Sequence, residues 1–158
     1  MFIKCPGEIL DSRGYTTVFL GGGITGCPDW QATVPELVRY DSRADGIIWL
    51  NPRREDFDVT DESMSVAQID WERKYLKSVD ATLFWFPEET LCPITLFELG
   101  KQLGQSKSEV FVGCHPNYAR RFDIVEQLRI DYPWIEVADS VDNLIEQVLE
   151  WEQEIRRF

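Results

Sequence analysis

The chain has 158 residues with a formal charge of −12; 44% of them are hydrophobic and 13% aromatic, enough for one domain to bury a substantial core. That acidity argues against a nucleic-acid groove, since the phosphate backbone would be repelled. No apolar run reaches the roughly 20 residues of a membrane span, and "MFIKCPGEILDSRG" is too polar for a secretory leader. Cys5, Cys27, Cys92 and Cys114 form no C-x-x-C pair, and one histidine does not complete a familiar zinc set. Free buried thiols, no metal, no cofactor and a soluble cytoplasmic protein are the expectation.

The first 15 residues fit no regular pattern and read as an arm or an added edge strand. Val18–Leu20 is a short apolar strand running into glycines. "CPDWQATVPELVRY" offers a helix with Pro28 at its first position, cut short or broken at Pro35. "GIIWLNP" is a second strand, followed by the polar loop "RREDFDVTDES" with several helix-start signals. In "SVAQIDWERKYLKSVD" the residues Val66, Ile69, Tyr75, Leu76 and Val79 approximate a helical stripe. "ATLFWFP" is apolar on both faces, as a strand in a parallel sheet covered on both sides should be. A helix over "CPITLFELGKQLG", a strand "EVFVG", a helix over "NYARRFDIVEQLRI", a short strand "IEVA" and a closing amphipathic helix complete the chain. This alternation predicts a doubly wound, five-stranded parallel α/β sheet in a single domain. Such sheets take ligands beyond the carboxyl ends of their strands, which singles out the loops 21–27, 51–64, 87–93 and 113–118.

The stretch "GGGITG" formally matches the dinucleotide fingerprint G-x-G-x-x-G. The fingerprint also requires a helix opening at its last glycine and an acidic residue ending the second strand. Here Cys27-Pro28 follows the last glycine and the second strand ends in Asn51, so the dinucleotide reading fails. The glycines remain candidates either for a tight turn or for close backbone approach to another small ligand.

A sharper signal is Glu98 in "CPITLFELG". Helical spacing puts it on one face with Leu91 and Ile94, and a carboxylate in apolar surroundings is costly unless it is paired, hydrogen-bonded or protonated. Enzymes use such placements. Asp70 and Glu72 flank Trp71 on the preceding helix, where carboxylates beside an aromatic ring suit a nucleobase or a sugar.

The ordered set "VFLGGGITG", "NPRR", "QIDWERKYLKSVDATLFWFP", "CPITLFELGKQLG" and "VGCHPNYARRFDIVEQL" resembles the nucleoside 2-deoxyribosyltransferase-like family from about Thr17 to Leu128. The resemblance implies a flavodoxin-like fold and cleavage of the N-glycosidic bond of a 2′-deoxynucleoside or its 5′-monophosphate. The family's nucleophile in its E-L-G motif maps onto Glu98. Its base-contacting carboxylate maps onto the "DWE" segment, with Glu72 preferred over Asp70 and with Trp71 beside them. Phe19, Gly21, Gly22 and Gly23 would floor the site. The chain departs from the family at Phe19, where a tyrosine is usual, and at Cys92, where an Asp binds the sugar. Asn51 and Arg53 complete the expected substrate-binding set; Arg53 and Arg54 would reach a 5′-phosphate. The resemblance implies no cofactor, a small-molecule nucleoside or nucleotide partner and a homo-oligomer. A non-catalytic nucleotide- or metabolite-binding module on the same fold is the alternative.

Overall fold

The computed structural model describes residues 1–58, 60–105 and 107–157, except for the side chain of Gln105. Its strands are β1 (Phe2–Lys4), β2 (Thr16–Gly22), β3 (Ile47–Asn51), β4 (Ala81–Phe86), β5 (Glu109–Cys114) and β6 (Val137–Ala138). Its α-helices are α1 (Val34–Leu37), α2 (Glu62–Leu76), α3 (Pro93–Gln105), α4 (Arg121–Asp131) and α5 (Val141–Arg156). The strands form one parallel sheet in the order β1-β3-β2-β4-β5-β6.

Six strands replace the expected five. The added one is β1, which pairs with β3 from Phe2 opposite Trp49 to Lys4 opposite Asn51. The Met1 ammonium donates to the Ile47 carbonyl at 2.7 Å and so fixes the start of this edge. Three residues at a sheet edge are too few to display a period.

Side chains alternate across the sheet as the strand period requires. Val18, Leu20, Ile47, Trp49, Leu83 and Trp85 lie beneath α1 and α5, with Val34, Leu144 and Val148 packed on them. On the opposite face Phe19 and Leu50 lie beneath Trp71 and Tyr75 of α2. Phe84, Phe86 and Val112 meet Leu99 of α3 and Ile124 and Leu128 of α4. Helices on both faces explain why "ATLFWF" is apolar throughout. All four cysteines are free. Among the described residues no helix is long and apolar enough to cross a membrane.

Three local expectations are corrected. The helix expected from Pro28 is a 3₁₀ turn (Gln31–Thr33) followed by the four-residue α1. Pro35 sits in its first turn, and Pro28 precedes both pieces. On α2 the buried line is Gln68, Trp71 and Tyr75, whereas Val66 and Ile69 are 59% and 60% exposed. Leu91 and Ile94, expected to give Glu98 apolar surroundings, are themselves exposed, although Ile94 stands beside the same cavity as Glu98.

From β2 the chain crosses to β3 on one side, and the next crossover carries it to β4 on the other. The helices diverge above the β2–β4 pair, and a crevice opens at the carboxyl ends of those strands.

Candidate active site

The crevice is a cavity of about 360 Å³. One wall is the glycine turn after β2. A side chain at Gly22, where φ is +148°, would place its Cβ 2.5 Å from the Trp85 carbonyl oxygen. At Gly23 a Cβ would meet Pro87 at 2.8 Å and the Cys92 sulfur at 2.9 Å. The Gly23 amide donates to Trp85 O at 3.2 Å, and the Trp30 indole donates to Gly23 O at 3.0 Å. The glycines are thus needed first for packing against β4, which leaves their backbone flush with the cavity. Gly22→Ala is expected to cost roughly 2–4 kcal/mol by denaturant unfolding. Gly26→Ala, at φ +78° but with nothing within 4 Å of the new methyl, should cost only about 1 kcal/mol.

The facing wall carries two carboxylates. The Asp61 side chain caps α2 by accepting from the Ser63 and Met64 amides, and the helix then sets Gln68 and Glu72 one turn apart on the cavity side. Gln68 Nε2 donates to Pro52 O and to Glu72 Oε1, each at 2.7 Å, and its Oε1 accepts from the Cys5 thiol at 3.1 Å. This arrangement fixes the amide orientation and presents its donor to Glu72. Burial raises the Glu72 pKa, and the Gln68 hydrogen bond opposes that.

Glu98 projects from α3, one turn beyond Thr95, onto the same cavity. Among the described residues no hydrogen bond or ion pair reaches its carboxylate. Burial, and then the neighbouring Glu72 charge, push its pKa up to about 7, with Lys101 pulling the other way. The height of α3 is set by buried Gln102, which donates to Leu76 O at 2.7 Å and to Thr82 Oγ1 at 3.2 Å. Two carboxylates with raised pKa values therefore meet in one partly enclosed space. Such a pair can keep a proton on one member while the other is ionised.

Of the other expected site residues, Phe19, Gly21, Gly22, Gly23 and Cys92 also line the cavity. Cys92 is left-handed (φ 48°), its Sγ lies 3.4 Å from Thr90 O, and burial pushes its thiol up to about 12. Trp71 stands behind Phe19 with ring centres 6.0 Å apart, donates its indole N–H to Gly7 O at 2.7 Å, and does not line the cavity. Asp70 is exposed on the outer side of α2. Asn51 is buried outside the cavity, where its side chain accepts from the Arg53 amide at 2.8 Å. Arg53 ties two loops together through Cys27 O and Pro28 O, while Arg54, paired to Asp56 at 3.0 Å, faces the cavity. No residue of the loop 113–118 lines it.

Sequence reasoning missed Gln68, Phe57 and Thr95. Gln68 carried one usable signal, its position four residues before Glu72 on one helix face. Among the described residues no group of three or more His, Cys, Asp or Glu side chains is arranged to hold a metal ion.

No curated protein matches the chain. A family model described as "Nucleoside 2-deoxyribosyltransferase like" matches residues 15–118, which run from the start of β2 past the cavity to the loop after β5, and the chain belongs to that family.

Proposed function

We propose that the protein cleaves the N-glycosidic bond of a 2′-deoxynucleoside, or of its 5′-monophosphate, through a covalent intermediate on Glu98. The observation that carries this reading is the unpaired Glu98 carboxylate on the cavity wall beside the Gln68-held Glu72. A Glu98 oxygen attacks C1′, the C1′–N bond breaks, and the departing base takes a proton from Glu72. An incoming base or water then attacks C1′ from the vacated face and gives its proton to Glu72, and the Glu98 ester bond breaks. A proton shared by the pair supports this division, since when it sits on Glu72 it removes the like charge beside Glu98 and lets Glu98 ionise. Arg54 supplies the cavity's cation for an anionic group on the substrate.

The test is product analysis after incubation with mixed deoxynucleosides, their 5′-monophosphates and free bases. New deoxynucleosides indicate transfer to a base, and free sugar or sugar phosphate indicates transfer to water; either is the expected result. Saturable binding without any product would overturn the enzymatic reading in favour of a binding module.

A further inference from the structure

A second concavity, of about 750 Å³, runs between α2 and α3 away from the catalytic pair. Glu72, Ile94 and Glu98 stand at its junction with the first cavity, and it passes Ile69 and Leu76 to reach Trp151 and Ile155 of α5. Its lining carries Arg73, Lys77, Lys101 and Lys107, and besides Glu72 and Glu98 it holds the carboxylate of Asp80, which is occupied by the Thr17 amide and hydroxyl.

The charge distribution in this groove departs from the rest of the molecule. The chain has 28 acidic and 16 basic residues, so a surface cation has carboxylates in excess around it. Every lysine and arginine elsewhere in the described residues stands in an ion pair except Arg157. Among the described residues the four in the groove have none; the Lys101 ammonium lies 5.1 Å from the centre of the Phe97 ring and acts on the Glu98 carboxylate through its charge.

We infer that this groove binds a small molecule carrying several phosphates on an apolar or aromatic body, the chemistry of a nucleoside triphosphate. Four cations exceed what a single phosphate needs, and Ile69, Leu76 and Trp151 offer the apolar surface that a bare inorganic anion would not use. A short anion fits the charge pattern better than a long one. Beyond a Debye length of about 8 Å the positive rim is screened, and the surface around it is acidic. The groove reading stands apart from the reaction proposed for Glu98, because binding is measured without turnover.

Calorimetric titration of the full chain with adenosine triphosphate at low ionic strength tests it. Saturable binding is expected, weakened at least tenfold in the variant Arg73→Gln/Lys77→Gln/Lys101→Gln/Lys107→Gln and unchanged in Arg157→Gln. Circular dichroism on the quadruple variant checks its fold; the single variant Lys77→Gln, at an exposed helix end, should weaken binding by a few-fold. Absent binding to wild type, or equal affinity in the folded quadruple variant, would overturn the assignment.

Discussion

Replacing Glu98 with glutamine is expected to lower the rate of base release by about a thousandfold or more while making the protein more stable at alkaline pH. The kinetic loss follows from removing the proposed nucleophile, since the other carboxylate on the cavity wall, Glu72, is held by Gln68 in the role of the acid. The gain in stability follows from the environment of the carboxylate. Its pKa rises from 4.5 to about 7 on folding, so the protonated form favours the fold. That contribution is complete below about pH 4.5 and is lost as the pH rises through about 7. At pH 8 wild type therefore bears the cost of an ionised, half-buried carboxylate, on the order of 1–3 kcal/mol after allowance for residual hydration. The glutamine variant escapes it and should melt a few degrees higher at pH 8 but not at pH 4. Activity and thermal melts at both pH values check the two halves together. A variant that loses activity and is also less stable at pH 8 would mean that Glu98 holds the structure together.

This opposition of activity and stability bears on what was legible in the sequence. The sheet was legible because "ATLFWF" and "GIIWL" are apolar on both faces, a pattern that helices on both sides of a parallel sheet explain directly. Glu98 was legible as a carboxylate out of place, although its expected apolar companions Leu91 and Ile94 face solvent. Its burial comes instead from long-range packing, with Leu99 turned into the core and α3 pinned through Gln102. The cavity face of α2 was obscured because it buries polar groups. Gln68 is satisfied by Pro52 and Cys5, which are distant in sequence, while the apolar Val66 and Ile69 point outward. A periodicity argument assumes that buried positions are apolar, and that assumption fails where tertiary hydrogen bonds satisfy a polar face. Arg53 and Trp71 show the converse, because side chains suited to a ligand are consumed in holding loops and core.

Glu72→Gln separates the two carboxylates. Glutamine keeps the size of the side chain and its oxygen can still accept from Gln68 Nε2, so the local geometry should survive. It has no proton to give the departing base, and general-acid catalysis of this kind contributes roughly 10²–10⁴-fold. The expected loss in kcat/KM is of that size for a natural deoxynucleoside. It should shrink sharply for a 2-deoxyribosyl donor whose leaving group departs unprotonated, because attack by Glu98 on C1′ is untouched. The pH profile should change as well. In the proposed mechanism the active pair holds one proton, and kcat/KM falls as that proton leaves near pH 7. In Glu72→Gln the like charge beside Glu98 is gone, its pKa drops, and the falling limb near pH 7 disappears. Equal losses for both donors with the falling limb retained would show that Glu72 neither protonates the base nor acts on Glu98.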